Sequence, residues 1–405
     1  MLINIPYCIG IVMLSIAPSV SVLFVANILL GTTVGFTEAP INSYFGEICQ
    51  PELRSILTGS AGIFYQTGMC VLYVLGSLLH WKTTAAVLAV VPVIAFILLT
   101  QVPESPIWLI AQGRMQDAEA ALCWLRGWVE PSAVQHEFQQ LIAYHESVTK
   151  KQRKDLKDDD KQQSVDLKTR VVNMVRLLLQ RETRRPLVLI VLFFQFCGMG
   201  GMYSIRPFLI EVLREFQVPL DANWSTVVVA AAGFLGSVFL VCVVKSLGKR
   251  LLGLGTTAVC AASCLLLGLY AFLFIVPGEE PKPVVTWLPL ALFILLSFAS
   301  TAQCQVPWLL VAEVFPFRTR GYAGGLAAAF MYIVAFVAAK TYLMTEHVFK
   351  LHGTYWFFGA VNILCFVYLY FQLPETEGKS LQEIEALFAG KKSILLQQQN
   401  PKTHK

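Results

Sequence analysis

Residues 44–54 read Tyr-Phe-Gly-Glu-Ile-Cys-Gln-Pro-Glu-Leu-Arg, and residues 310–320 read Leu-Val-Ala-Glu-Val-Phe-Pro-Phe-Arg-Thr-Arg. Both close an apolar stretch with Glu, Pro and Arg, and the interval from Glu47 to Arg54 equals that from Glu313 to Arg320. Each is followed by more apolar sequence and then by a Pro-Glu-Ser/Thr step, Pro103-Glu104-Ser105 in one case and Pro374-Glu375-Thr376 in the other. A charged motif that recurs at matching places among apolar stretches predicts two related halves, an organisation common among membrane transporters.

Composition places the chain in the membrane. Of its 405 residues 56% are hydrophobic and only 14% charged, whereas a soluble domain carries roughly 25% charged residues. The apolar residues come in runs long enough to cross a bilayer, about 20 residues each. About ten such runs occur, near 2–17, 20–45, 56–79, 83–102, 187–210, 224–247, 251–276, 286–312, 321–344 and 353–373. This predicts an all-α membrane protein, four spans then six, with short cytoplasmic helices between and after them. The expected divisions are 1–103, an incomplete N-terminal membrane half; 104–185, a cytoplasmic linker; 186–373, a six-helix half; and 374–405, a cytoplasmic tail. The basic residues of short loops (Arg54, Lys245, Lys249, Arg250, Arg318, Arg320) fall on one side, which the positive-inside rule assigns to the cytosol together with both termini.

Several functions are excluded or disfavoured. Acids such as Asp158, Asp159 and Asp160 nearly balance the basic residues of 104–185, against a nucleic-acid role. No metal-ligand cluster, nucleophile elbow or phosphate loop is present, so neither an enzyme, a metal site nor a cofactor is expected. The ten cysteines show no Cys-x-x-Cys pair and predict no disulfide framework. The sequon Asn223-Trp224-Ser225 lies in a predicted external loop, a candidate glycosylation site close to the next span.

Local signals subdivide 104–185. Ser105 suits a helix N-cap with Pro106 as the first helical residue. The Ala- and Leu-rich Gln112–Arg126 predicts a helix, Lys150–Gln163 a solvated linker, and Asp166–Arg184 an amphipathic helix. Ser380-Leu381-Gln382-Glu383 is a capping box ahead of Ile384, Leu387 and Phe388.

The charged residues at helix ends suit a latch. Glu47 and Glu313, with Arg54, Glu104, Lys249, Arg250, Arg320 and Glu375, form a candidate network whose pairs, if made in one conformation only, would bias an equilibrium between two states. The plainer alternative is a set of surface ion pairs worth ~0–1 kcal/mol each. Glu38, Arg206 and Lys340 stand inside apolar runs, where a charge costs roughly 2.5–3.5 kcal/mol. They are candidates for substrate or gate contacts, or for structural pairs, with Lys340 better placed to snorkel.

These motifs resemble the sugar-porter family of the major facilitator superfamily. The likeness rests on Tyr44-Phe45-Gly46-Glu47 with Pro51 and Arg54, Pro103-Glu104-Ser105-Pro106 with Trp108-Leu109, Pro307-Trp308, Arg320-Gly321 and Pro374-Glu375-Thr376-Glu377-Gly378. Within the family, Gln50-Pro51-Glu52, Trp124-Leu125-Arg126-Gly127 and Lys340-Thr341 look most like the arthropod facilitated trehalose transporters. The resemblance implies a sugar substrate of the trehalose or hexose class. It further implies alternating access through a cavity between two six-helix halves and a plasma-membrane location, with a small solute and the lipid bilayer as the expected partners.

Two departures stand out. Pro186 precedes Glu313 by 127 residues, whereas only 46 precede Glu47. By that ruler the chain begins at the family's third helix, short by roughly 80 residues or two spans. The second departure is in the family's amide ligands. Gln195 keeps the first glutamine of helix seven, but the second is Phe196 and the following asparagine is Gly201. The helix-five glutamine falls on Gly62, the helix-eight asparagine on Gly233, and the helix-eleven Asn-Trp pair on Met331-Tyr332. Arg206 occupies the place of a gate tyrosine. Candidate substrate contacts are therefore Gln195, Trp308, Tyr332 and Gln66. Three readings stay open: a sugar carrier, a carrier of a non-sugar solute, and a non-transporting sensor or partner form.

Overall fold

The computed structural model describes residues 3–48, 51–143, 167–275, 286–315, 319–377, 383–384 and 387–388, and the regular structure among them is helical. In chain order the helices are α1 (Asn4–Ile16), α2 (Val20–Ile48), α3 (Pro51–Leu78), α4 (Trp81–Leu88), α5 (Val90–Leu99), α6 (Pro106–Ala111) and α7 (Met115–Leu125), then α8 over 131–143. There follow α9 (Leu167–Leu179), α10 (Arg181–Met199), α11 (Met202–Ile205), a 3₁₀ turn at Arg206–Phe208, α12 (Leu209–Glu215), α13 (Ala222–Phe274), α14 (Trp287–Val314) and α15 (Arg320–Gln372). All ten apolar stretches fall on helices, so the all-α, multi-pass membrane architecture expected from composition is observed. Phe24, Phe64, Leu364 and Phe371 are all more than half exposed, as side chains facing hydrocarbon would be.

The chain divides into two compact units. One comprises Met1–Arg54 and Trp81–Leu177, the other Ser55–His80 and Leu178–Lys405. In the first unit Gly10 lets α1 lie close against Leu30 of α2. Pro92 lacks an amide hydrogen and crowds the carbonyl one turn back, which accounts for the interruption between α4 and α5. Ser105 caps α6 as expected, accepting from the Trp108 amide at 3.5 Å. Leu109, Ile110, Ala118, Leu122, Val134 and Phe138 bury a small core joining α6, α7 and α8. Arg126 ties this helical cluster to the membrane part. Its guanidinium holds both carboxylate oxygens of Glu137 and points at the carbonyl of Ile48, at the end of α2, from 3.4 Å, where a helix leaves unpaired acceptors.

The second unit is organised by three breaks. Between α10 and α11–α12 the helix bends by 47°, with Gly201 at φ +112° and the ring of Phe358 filling the space a side chain would need. The carbonyl of Gly200 that the bend frees accepts from Asn362 Nδ2 at 2.9 Å. α13 breaks at Gly248 and α15 at Lys350, so each is two membrane legs. One expectation shifts: helix α10 begins at Arg181, five residues before Pro186, and the amphipathic run ends at Leu179. The linker Lys150–Gln163 and Ser380–Gln382 of the capping box lie outside the described residues; Ile384 and Phe388 are buried against the core of the second unit.

Lys350 has φ 58° and ψ 174°, a region that only glycine enters without steric cost, typically ~1–3 kcal/mol for other residues. Lys350→Gly is therefore expected to raise the unfolding midpoint of the purified protein, although glycine is usually destabilising near helices. A fall in midpoint would refute the strain.

Candidate functional site

The break at Gly248 exposes the first amides of the second leg of α13, and a carboxylate from far along the chain answers them. Glu375 Oε1 accepts from the Lys249 amide and Oε2 from the Arg250 amide, both at 3.1 Å, while Oε1 also takes the Thr376 and Glu377 amides at 3.0 and 2.9 Å. A charged N-cap of this kind satisfies orphan donors and complements the helix dipole. Gly248 itself has φ +77°, and a Cβ there would collide with Glu375, so glycine is required twice over.

Beside that cap, Lys249 Nζ reaches Glu313 at 2.9 and 3.0 Å and is also hydrogen-bonded to Glu377. The Lys249 side chain is 1% exposed, and Glu313 and Glu377 are 13% and 20% exposed. Thr376 Oγ1 donates to Glu313 at 3.3 Å. One ammonium thus serves two carboxylates in a mostly dry site, and burial pushes the Glu313 carboxyl above its ordinary range while Lys249 pulls against it. Glu377 was named from sequence only as part of the Pro374–Gly378 motif and not as a member of the charge network; its place two residues after Glu375 was the available signal. Arg250 donates to the carbonyl of Tyr370 at 2.9 Å, and Arg320 Nη2 lies 3.4 Å from the carbonyl of Phe315. In the other unit Glu104 meets Arg114 at 3.8 Å with both side chains more than half exposed. The side chains of Glu38, Glu47 and Arg54 lie outside the described residues.

The intramembrane polar groups of the second unit form two sets. In the first, Gln303 donates to Thr257 Oγ1 at 3.0 Å and to Asn362 Oδ1 at 3.3 Å, and Asn362 in turn holds the Gly200 carbonyl. This set is buried and is occupied in supporting the bend. The second set lies where α3 packs along α13 and α14. Gln66 Nε2 lies 3.4 Å from Thr301 Oγ1, and Gln305 Nε2 donates to Ser237 Oγ at 2.6 Å. A Cβ at Gly233 would overlap the Gln66 amide, and one at Gly62 would overlap the Gln305 amide. At both positions the resemblance to sugar porters anticipates a side-chain amide; here the helix opposite supplies one. Among the described residues the carbonyl oxygens Gln66 Oε1 and Gln305 Oε1 have no hydrogen-bond partner.

The remaining candidates are dispersed. Gln195 directs its amide to Met199 Sδ one turn along α10, at 2.8 Å. Trp308 is half-buried with its ring 4.9 Å from Phe194. Tyr332 is 44% exposed on α15, and Lys340 is exposed farther along the same helix. Asn223 is in the first turn of α13, capped by Asp221, and Ser225 of the sequon is fully buried. Arg206 Nη1 donates to Tyr65 OH at 3.1 Å. The pattern Ser297, Thr301 and Gln305, one polar residue per turn in an apolar helix, was the sequence signal that would have found the α14 row.

Residues 1–388 match the family described as sugar (and other) transporter, and the chain belongs to that family. It is 26% identical over 388 residues to the facilitated trehalose transporter Tret1 of Aedes aegypti, covering 95% of this chain and 45% of that protein. It is 25% identical to Tret1 of Polypedilum vanderplanki, over 96% of this chain and 73% of that one. The chain thus spans less than half of the mosquito relative's length. In fold it is similar to the proton:xylose symporter XylE bound to 6-bromo-6-deoxy-D-glucose, with a TM-score of 0.70, 21% identity, and coverage of 96% of this chain and 82% of that one. It is also similar to the inward-open xylose transporter XylE from E. coli, with a TM-score of 0.64 and 21% identity over 95% and 81% of the two chains.

Removing Lys249 leaves two partly buried carboxylates facing each other. Lys249→Met is expected to cost about 3–5 kcal/mol, read as a lower melting midpoint in detergent, and Lys249→Met with Glu313→Gln to recover part of the loss. If K249M melted with the wild type, the cluster would be no more than a surface contact.

Proposed function

We propose that this member of the sugar transporter family carries a sugar of the hexose or trehalose class across a membrane by alternating access. The observation that supports the reading most directly is the amide exchange at Gly233 and Gly62. The residue types that answer sugar hydroxyls are retained in α3 and α14, and two of their carbonyl oxygens, Gln66 Oε1 and Gln305 Oε1, are unpaired acceptors. A buried acceptor without a partner carries an energetic penalty of about 1–3 kcal/mol, which a hydroxyl donor from a bound polyol would relieve. Trp308, on the same helix, offers an aromatic face for a sugar ring.

In the same reading the Lys249–Glu313–Glu377 cluster is a latch made in one state and released in the other. The plasma membrane is the proposed location, with both termini in the cytosol, a placement supported by the short basic loops.

Proteoliposomes containing the chain are expected to take up labelled D-glucose or trehalose saturably and in preference to L-glucose. Gln305→Ala should lower uptake about fivefold or more, the value of a lost hydrogen bond in a dry site. Uptake equal for D- and L-glucose, or unchanged by Q305A, would reject the assignment.

A further inference from the structure

Among the described residues Arg206 is a cation with no anion beside it. It follows the helix bend, at the start of the 3₁₀ turn, and its guanidinium lies against two tyrosines of the second unit. Nη1 donates to Tyr65 OH at 3.1 Å, the ring of Tyr203 is 4.8 Å away and that of Tyr65 5.9 Å. Tyr73 of α3 and Cys304 of α14 are near enough to feel its charge. Among the described residues none of the ion pairs includes Arg206, and its electrostatic neighbours are hydroxyls and a thiol rather than a carboxylate.

Ring faces and a phenol oxygen orient a guanidinium but do not neutralise it. Its fork carries five N–H donors, of which one has a described acceptor. A full charge among apolar helices is otherwise paired or faces water, and the exposed face of Tyr65 leaves an approach open. The position adds direction. Tyr65 is next to Gln66 on α3, and Cys304 is next to Gln305 on α14, so the guanidinium and the amide row are framed by the same two helices.

We propose that the solute recognised here bears a carboxylate, as a hexuronate does, with the carboxylate docking on Arg206 and the hydroxyls on the amides of Gln66 and Gln305. This deepens the transport reading above and rests on it. An Arg–carboxylate pair forms two parallel, charge-assisted hydrogen bonds, so Arg206 would select the anion while the amides select the sugar.

The test is binding to the full chain in lipid nanodiscs, followed by tryptophan fluorescence at constant ionic strength, with D-glucuronate, D-glucose and acetate as separate probes. Glucuronate is expected to bind about tenfold or more tightly than glucose. Arg206→Gln should remove the preference for glucuronate over glucose, and Arg206→Lys should fall between. Tyr65→Phe, which removes one acceptor and no charge, should weaken glucuronate alone and guards against R206Q failing to fold. Equal wild-type affinity for glucose and glucuronate overturns the carboxylate inference and leaves the sugar reading standing. Acetate bound as tightly as glucuronate, with no glucose binding, keeps the anion site and removes the sugar. Binding of none of the three overturns both.

Discussion

Inside hydrocarbon a backbone amide or carbonyl has no water to fall back on, so a helix that breaks there must be answered by a side chain. The second unit meets this constraint at the bend, and a similar need arises at the buried loop end between the two legs of α13. Asn362 answers the Gly200 carbonyl at the bend, and Glu375 answers the Lys249 and Arg250 amides at the break of α13. The two solutions differ in kind. A neutral amide is held by a buried network through Gln303, whereas a carboxylate caps a helix N-terminus and draws the Lys249 cluster around it. Other features of this unit follow, including the glycines at 201 and 248 and the carboxylates that share one ammonium.

The Lys249 cluster gives the glutamate of the second Glu–Arg motif a described setting. Glu313 stands at the end of α14, and its described partners come from the second leg of α13 and from Thr376 beyond α15. Three chain segments distant in sequence are thereby joined through one side chain. A site that concentrates charge among neighbouring segments suits a switch, because breaking it releases all of them together.

Much of the fold was legible because the bilayer imposes a blunt rule of length and apolarity, and the Ser105 and Pro106 cap follows from local chemistry alone. The start of α10 was misplaced because Pro186 looks like a boundary, yet the helix runs through it from Arg181. The site was harder to read. Gly62 and Gly233 signal lost ligands in one dimension; only packing shows that Gln305 and Gln66 occupy the space these glycines leave. The role of Asn362 was invisible for the same reason, since it depends on a carbonyl freed by a bend elsewhere. Glu377, by contrast, stood in plain view beside Glu375.

The amide exchange and Arg206 bear on one another. Moving an amide from one helix to the one facing it preserves hydrogen-bonding type while changing where the donors and acceptors lie, so on the proposed reading the solute differs in shape from one read by amides at the original positions. A guanidinium set between the same helices adds a demand that no neutral sugar meets, because hydroxyls can accept from it but cannot cancel its charge. A solute with both a polyol face and an anionic group satisfies the two features at once. A neutral solute would leave Arg206 to be stabilised by tyrosines alone, in a segment where nearby backbone breaks are answered by full partners.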